Sequence, residues 1–169
     1  MIEKLRFFGD EILREKAKPV TNFDKNIREI TKNLIESIKH YEGIGLAAPQ
    51  IGHSVKIFVI NPIWFGNEKN REIQIFINPI LLSFEGTQNE QEGCLSIPEI
   101  FEKVKRAQKV VFKAQNLNGK WKKYNATDTF ARVVQHEYDH LDGVLFVDKI
   151  APIRRKLISG KLKKIALAH

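Results

Sequence analysis

The stretch His136-Glu137-Tyr138-Asp139-His140 is the part of the sequence around which the rest of the chain is expected to pack. Residues four apart in a helix project from one face, so His136 and His140 can present two imidazole nitrogens to one divalent metal ion. Glu137 follows the first histidine, where its carboxylate can accept a proton from a nearby water molecule. Apolar residues flank the motif at helical spacing, which indicates a buried helix. These residues are Val133, Val134 and Leu141. The motif therefore predicts a metal-dependent hydrolase built on a central helix.

A third protein ligand is needed, and its source separates the possible classes of metalloenzyme. Metzincin proteases carry a third histidine at the position that Phe146 occupies here, and phenylalanine cannot bind a metal. A carboxylate from a later helix is also missing, because no acidic residue follows Asp148. The remaining candidate is Cys94, which we expect in a short loop leading to Pro98. A thiolate and two imidazoles leave one coordination position open for water.

Length and composition are those of a globular chain with one core. The chain has 169 residues, of which 43% are hydrophobic. No apolar run approaches the roughly 20 residues that span a bilayer. The first residues lack the apolar core of a signal peptide, so we expect a cytoplasmic protein without membrane contact. The single cysteine excludes an internal disulfide and is either a reactive or ligating thiol or a small buried residue.

The net charge of +8 is not spread evenly along the chain. From residue 149 onward the sequence contains seven basic residues and no acidic ones. The basic residues are Lys149, Arg154, Arg155, Lys156, Lys161, Lys163 and Lys164. Such a segment is typical of contact with a polyanion such as nucleic acid, but a solvated basic helix has the same composition. Composition alone leaves both interpretations open.

Helical patterns stand near the start, at the motif and at the end of the chain. Thr21-Asn22-Phe23-Asp24 supplies a capping signal before a long amphipathic segment. Its apolar stripe consists of Ile27, Ile30, Leu34, Ile38 and Tyr41. Thr127 or Asp128 is expected to cap the motif helix, and Gly143 to end it. Pro152 is expected to open a final helix.

Strand signals fill the middle of the chain. Runs of β-branched and aromatic residues predict strands over 55–60, 73–77 and 80–84, with Asn78-Pro79 ending the second. Asn118-Gly119 predicts the turn of a later hairpin. The expected fold is α+β, with antiparallel sheets packed around a central motif helix. We expect a single catalytic domain over residues 1–169, of which 150–169 form a basic C-terminal helical extension.

The segment over residues 43–50 (GIGLAAPQ) cannot continue the first helix. Because Gly43 and Gly45 have no side chains, the backbone here can approach another group closely. Gln50 ends the segment with an amide that is both donor and acceptor. The segment lacks the third glycine of a dinucleotide loop and the Gly-Lys-Ser/Thr ending of a phosphate loop. A tight turn into a strand is the simpler alternative to a binding role.

Three stretches together resemble, in order and spacing, the motifs of the peptide deformylase family. They are residues 43–50, 92–96 (EGCLS) and 135–140 (QHEYDH). Residues 9–14 also resemble the start of that family, so the likeness covers nearly the whole chain. Glu11 stands where a proline is common and Thr129 where many members carry a glycine, and neither residue touches the chemistry. The resemblance implies hydrolysis of the N-formyl group from formyl-methionyl nascent peptides, with release of formate.

The resemblance also implies a role for each motif residue. The metal ligands would be Cys94, His136 and His140. The catalytic residues would be Glu137, Gln50 and Leu95. The residues that contact the peptide would be Gly43, Ile44, Gly45 and Val133. Glu137 would move the proton, while the Gln50 side chain and the Leu95 backbone N–H would stabilise the oxyanion.

Metal and partners follow from the same resemblance. The family is typically most active with Fe²⁺, so we expect Fe²⁺ here, with Zn²⁺, Ni²⁺ or Co²⁺ as substitutes. The donor set by itself fits zinc. The basic segment from Pro152 onward resembles the ribosome-docking extension of bacterial members, so we expect ribosome contact through it. We also expect a monomer.

Two other classes of function remain as alternatives. A zinc metallopeptidase that cleaves peptide bonds needs a third ligand after the motif helix, and the sequence offers none. A non-enzymatic RNA-binding domain accounts for the charge but not for the combination of Gln50, Cys94 and Glu137.

Overall fold

The computed structural model describes residues 1–65 and 72–169 and has an α+β fold. Its α-helices are α1 (Lys25–His40), α2 (Asp128–Leu141) and α3 (Pro152–Ala168). Its strands are β1 (Gly45–Ala47), β2 (Ile57–Ile60), β3 (Gln74–Glu85), β4 (Gln88–Cys94), β5 (Ile97–Arg106), β6 (Lys109–Gln115) and β7 (Trp121–Thr127). The motif helix is α2, and the predicted fold class is confirmed.

The strands form two antiparallel sheets. The larger sheet has the strand order β1-β2-β3-β6-β7, and the smaller one, which we call the β4–β5 ribbon, pairs β4 with β5. The turn of the β6–β7 hairpin contains Asn118 and Gly119, as predicted. Gly119 has a φ of 77°, which glycine adopts without steric cost.

One side of α2 packs on the larger sheet. Val134 and Leu141 of this helix are buried in a cluster with three aromatic side chains of the sheet. Those side chains are Phe58 of β2, Phe76 of β3 and Phe112 of β6. Burying an aromatic side chain of this size contributes about 2–3 kcal/mol. Apolar packing therefore fixes the motif helix from this side.

The helix α1 covers a second cluster and ends beside the glycine-containing segment. The predicted capping segment 21–24 does precede the helix, and its cap residue is Asp24, whose side chain accepts a hydrogen bond from the Ile27 backbone N–H at 3.1 Å. The predicted stripe from Ile27 to Ile38 is buried against β2. Tyr41 lies just beyond the helix as its C-cap residue, and its hydroxyl donates to the carbonyl oxygen of Glu3 at 3.0 Å.

The prediction that Asn78-Pro79 ends a strand is wrong. The strand β3 passes through both residues, with a shift in its pairing to β6 between Ile77 and Ile80. Asn78 has a φ of 50°, a conformation that asparagine tolerates better than most residues. Its side chain bonds the backbone N–H and carbonyl of Val20, each at 2.8 Å, and so supplies pairing at the irregularity.

The position of Cys94 also differs from the prediction. Cys94 is the last residue of β4 and not part of a loop, and a two-residue turn of Leu95 and Ser96 leads into β5. The sequence of β4 (QNEQEGC) is too polar to be recognised as a strand, because much of its surface is exposed. The ribbon therefore presents Cys94 from its tip.

Both ends of α2 lie where they were predicted, but its N-terminal end lacks a side-chain cap. Thr127 is the N-cap residue, but within the described residues no side chain makes a capping hydrogen bond there. Gly143 follows the helix with a φ of 72°, and a side chain there would overlap the backbone of Arg14. Glycine at this position is typical of a helix that stops and turns sharply.

The last helix begins at Pro152, as predicted, and Gly160 does not interrupt it. Ile158 and Leu162 are buried in a third cluster with residues of β5, including Val104. In the part of the chain that the structure describes, no helix combines the length and the apolar character needed to cross a membrane.

Candidate active site

Three side chains predicted as metal ligands converge where α2 meets the tip of the β4–β5 ribbon. The ligand atoms of Cys94, His136 and His140 all lie within 4.8 Å of one another. The Sγ atom of Cys94 is 3.4 Å from Nε2 of His140. Donor atoms around one tetrahedral ion lie roughly 3–4 Å apart. The cluster therefore has the dimensions of a single metal site.

Glu137 lies beside this cluster, against β1. Only glycine fits opposite it, because a Cβ atom on Gly45 would lie 2.5 Å from Oε1 of Glu137. Oε2 of Glu137 is buried and has no hydrogen-bond partner among the described residues. Burial raises the pKa of Glu137 to about 7, although the charge of His136 opposes this. A carboxylate in this state fits a position next to a cation and a water molecule.

Gln50 approaches the cluster from the other side. Its Oε1 accepts a hydrogen bond from the Ala47 backbone N–H at 2.9 Å, which fixes the orientation of the amide. Its Nε2 donates to Ser96 Oγ at 3.1 Å and to the Cys94 sulfur at 3.4 Å. Both Gln50 and Ser96 are buried. The amide N–H groups of Gln50 are therefore held at the Cys94 sulfur.

Glu92 is the centre of a buried ionic network. Its carboxylate accepts hydrogen bonds from His136 Nδ1 at 2.8 Å, from Arg106 at 2.8 and 2.9 Å, and from Arg132 Nη1 at 2.6 Å. Arg106 also donates to Asp139 at 2.6 Å. Burial opposes ionisation of Glu92, but the hydrogen bonds from Arg106 and His136 outweigh it and lower its pKa to about 2. Because Nδ1 of His136 carries the shared proton, Nε2 is free to bind a metal.

The two histidines have opposite electrostatic environments. Burial disfavours the charged form of His136, yet its hydrogen bonds with Cys94 and Glu92 raise its pKa well above the usual value. Burial and the charges of His136 and Arg106 lower the pKa of His140 well below the usual value. A sulfur atom and two imidazole nitrogens form a donor set that fits a divalent metal ion.

A cavity of about 810 Å³ opens beside the cluster. Its walls include all the residues predicted to contact a peptide and the predicted catalytic ones. The former are Gly43, Ile44, Gly45 and Val133, and the latter are Gln50, Leu95 and Glu137. This volume is in the upper part of the range for ligand sites and exceeds what one amino-acid side chain fills.

The sequence resembles known proteins along nearly all of its length. It matches the model of the family described as polypeptide deformylase over residues 2–156. The chain belongs to the peptide deformylase family. A peptide deformylase of Acidobacterium capsulatum is 42% identical over 168 residues, which cover 99% of this chain and 98% of that protein. One from Thermotoga maritima is 43% identical over 164 residues, covering 96% of each.

Solved structures of the family have the same fold. The peptide deformylase from Thermus thermophilus superposes with a TM-score of 0.91 at 33% identity, covering 100% of both chains. The enzyme from Legionella pneumophila superposes with a TM-score of 0.89 at 38% identity, covering 97% of this chain and 95% of that one.

Family membership confirms the predicted function. The chain is a hydrolase of the class that removes the N-formyl group from newly synthesised polypeptides, and this activity is favoured over cleavage of internal peptide bonds. The family is metal-dependent, and the cluster of Cys94, His136 and His140 is a possible site for the ion.

Sequence reasoning missed the residues that hold the ligands in place. Glu92 belongs to a recognised motif, but its role as partner of His136 was not predicted. Arg132 offered a signal, because it precedes His136 by four residues and so shares its helix face. Ser96 belongs to the same motif as Glu92, but its hydrogen bond with Gln50 was not predicted. Arg106 offered no signal, since it meets Glu92 only through the pairing of β4 with β5.

Proposed function

We propose that Cys94, His136 and His140 hold one divalent metal ion, Fe²⁺ in the cell, with Zn²⁺, Ni²⁺ or Co²⁺ as substitutes. The observation that supports this most strongly is the convergence of the three ligand atoms within 4.8 Å beside the Glu137 carboxylate oxygen, which lacks a partner among the described residues. When bound, the ion acts as a Lewis acid and lowers the pKa of a water molecule toward neutrality.

Glu137 is the proton carrier of the proposed reaction. Its carboxylate accepts a proton from the attacking water, whose oxygen forms a bond to the formyl carbon. The C–N bond then breaks, and Glu137 passes the proton to the leaving amine, so that formate and a free N-terminus result. Burial raises the pKa of this carboxyl, which favours its return of a proton after accepting one.

Gln50 and Leu95 stabilise the oxyanion that develops on the formyl oxygen. The support for Gln50 is that its amide is oriented by Ala47 and points to the ligand cluster. The support for Leu95 is that it follows Cys94 directly and lines the cavity. Losing one such donor typically costs about 2.7–4 kcal/mol of transition-state stabilisation.

The peptide lies along Gly43, Ile44 and Gly45, and the methionine side chain packs against Val133. Ile44 precedes β1, lines the cavity and is 39% exposed. Its carbonyl oxygen already accepts a hydrogen bond from the Asn61 N–H at 2.7 Å, so its N–H is the group proposed to pair with an extended peptide. Gly43 and Gly45 allow close approach, because side chains there would meet Leu95 and Glu137.

The remaining features concern the setting of the reaction. We propose that residues 1–169 form one catalytic domain, that the enzyme acts as a cytoplasmic monomer, and that the basic helix over 150–169 contacts the ribosome. The support for ribosome contact is the absence of acidic residues after Asp148, combined with the exposure of Lys161, Lys163 and Lys164. Replacing these three lysines by glutamine should weaken ribosome binding, and unchanged binding would exclude this contact.

The experiment that tests the site is metal analysis combined with formate release from a formyl-methionyl tripeptide. Cys94→Ala should lose both metal and activity, whereas Glu137→Ala should keep the metal and lose activity. An unformylated tripeptide serves as the control for cleavage of peptide bonds. If Cys94→Ala kept its metal and its rate, the ligand assignment would be wrong.

A further inference from the structure

A second basic segment lies far from the C-terminal helix in sequence. Residues 103–127 contain eight basic residues and no acidic ones. They are Lys103, Lys105, Arg106, Lys109, Lys113, Lys120, Lys122 and Lys123. Arg106 belongs to the Glu92 network, but five of the others lie in the β6–β7 hairpin. The function proposed above makes no use of this hairpin.

Strand alternation places several of these lysines on one face. In β6 the residues Val110, Phe112 and Ala114 point into the core, so Lys109 and Lys113 point outward. Lys123 pairs with Lys113, and Trp121 pairs with Gln115, so both also point outward. We call Lys109, Lys113, Trp121 and Lys123 the hairpin face.

The hairpin face carries two features that its own stability does not favour. Lys113 and Lys123 are directly opposite each other across the strands, and like charges in that position repel. Trp121 is 49% exposed at the end of an edge strand, with the Lys113 ammonium 4.9 Å from its ring centroid. The ammonium group of Lys109 lies 3.9 Å from the Glu85 carboxylate. An anionic ligand would relieve the repulsion, and a planar ligand would cover the ring.

We propose that the hairpin face binds RNA, with the three lysines contacting phosphates and Trp121 stacking on a base. RNA combines the two chemistries, because phosphates neutralise lysines and every base offers a flat surface to an aromatic side chain. The substrate of the proposed reaction is a polypeptide on a ribosome, which is itself largely RNA. This surface is separate from α3, which packs on β5 through Ile158 and Leu162.

Protection of an exposed sheet edge is the competing explanation. Lysines on an edge strand prevent pairing with another molecule, and β7 is an edge strand. This accounts for Lys122 and Lys123. It does not account for Lys113, which lies on the inner strand β6, or for an exposed tryptophan, which favours association. The presence of Lys113 and Trp121 on one face therefore favours ligand binding over protection of the sheet edge.

The test uses the metal-loaded full chain and a fluorescent single-stranded RNA of about twelve nucleotides, a length within the range of single-strand binding sites. The triple variant Lys109→Gln, Lys113→Gln, Lys123→Gln should bind about tenfold more weakly, and the slope of log K against log salt should fall by about 2. Trp121→Ala should also weaken binding about tenfold. The triple variant removes the repulsive pair together with the Lys109–Glu85 and Lys113–Trp121 contacts, so its melting temperature should stay close to that of the parent.

The matched control removes three exposed lysines from α1, with Lys25→Gln, Lys32→Gln and Lys39→Gln. It should keep the affinity and slope of the parent. An equal loss in this control would overturn the proposal, since net charge alone would then explain binding. Unchanged RNA binding in the triple variant, or hairpin-dependent binding to phosphatidylserine vesicles but not to RNA, would also overturn it.

Two further measurements separate this proposal from the function proposed above. Formate release from the tripeptide should be unchanged in the hairpin variants, because none of the four residues lines the cavity. The α3 variant Lys161→Gln, Lys163→Gln, Lys164→Gln should lose affinity independently, so that combining both sets multiplies the losses. A combined variant no weaker than the α3 variant alone would exclude a separate RNA surface on the hairpin.

Discussion

The larger sheet and the β4–β5 ribbon both pack against α2, but different forces hold them there. On the sheet side, Val134 and Leu141 meet aromatic rings in an apolar cluster. On the ribbon side, Arg132 and His136 meet the Glu92 carboxylate in a buried ionic network. Apolar packing tolerates small shifts, whereas each hydrogen bond of the network fixes an atom within a few tenths of an ångström. The candidate metal site lies on the ribbon side of α2, where side-chain atoms must be placed precisely. That side is the one held by polar contacts.

The largest effect on stability should come from a substitution in the apolar cluster between α2 and the larger sheet. Phe112 is fully buried, with ring centroids 5.4 Å from Phe76 and 5.0 Å from Tyr124. Phe112→Ala should lower the free energy of unfolding by about 4 kcal/mol, because it leaves a cavity. Metal content per folded molecule should stay the same. Denaturant unfolding and metal analysis measure the two, and a parallel fall in metal affinity would show that the two sides are not independent.

The second-largest effect on stability should come from a substitution in the Glu92 network between α2 and the β4–β5 ribbon. Glu92→Gln should lower the free energy of unfolding by about 3 kcal/mol, because two buried guanidinium groups lose their counter-charge. It should also lower metal affinity about 10–100-fold, because Nδ1 of His136 loses its carboxylate acceptor. Glu85→Gln, at a side chain that is 77% exposed, is the matched control and should change neither quantity. A variant with lower stability but unchanged metal affinity would contradict a positioning role for Glu92.

A smaller effect should appear where the cavity meets α2. Gly45→Ala adds a methyl group 2.5 Å from Glu137 Oε1, so the carboxylate must move. Formate release should fall about 100-fold, or about 2.7 kcal/mol, as is common for a displacement near 1 Å. The metal should remain bound, since the added methyl group meets Glu137 rather than a metal ligand. Unchanged turnover would mean that the position of Glu137 is not critical.

The smallest effect concerns an ion pair outside both regions. Burial opposes ionisation of Asp148, but hydrogen bonds from Arg14 and the Leu145 backbone N–H outweigh it, so its pKa lies below the usual value. Its stabilising contribution is then present above about pH 4 and is lost as the pH falls through the lower, folded-state pKa. Asp148→Asn should cost about 1 kcal/mol at pH 7 and less at about pH 3. The exposed Asp142→Asn is the control, and equal losses at both pH values would exclude this linkage.

The difference between the apolar and the polar side of α2 also decides what could be predicted from the sequence. The apolar side repeats with the period of its secondary structure, so α1, the capping segment 21–24 before it and most strands follow from hydropathy and turn residues. Glu92 could not be assigned in this way, because its partners lie 14, 40 and 44 residues along the chain. The strand β4 was missed for the related reason that its residues are polar.

The motifs named the residues that meet at the candidate site, although their positions in the fold could not be predicted. The resemblance of three motifs to one family placed Cys94 with two distant histidines, and the structure brings these atoms together. Cys94 nevertheless lies at the end of a strand, and β3 passes through Asn78-Pro79. In both cases tertiary contacts override a local signal, as the bonds from Asn78 to Val20 illustrate.

The position of Cys94 at the tip of the ribbon has one further consequence. Cys94 and His140 are 46 residues apart in the chain, and a metal ion bound to both closes a loop that contains β5, β6, β7 and most of α2. A cross-link of that span removes roughly 4 kcal/mol of conformational entropy from the unfolded chain, as a disulfide of equal length does. A metal ion at this site would therefore act as a reversible cross-link. Chelation should therefore lower the free energy of unfolding as well as stop turnover, and protease cleavage of the chain should increase as activity is lost.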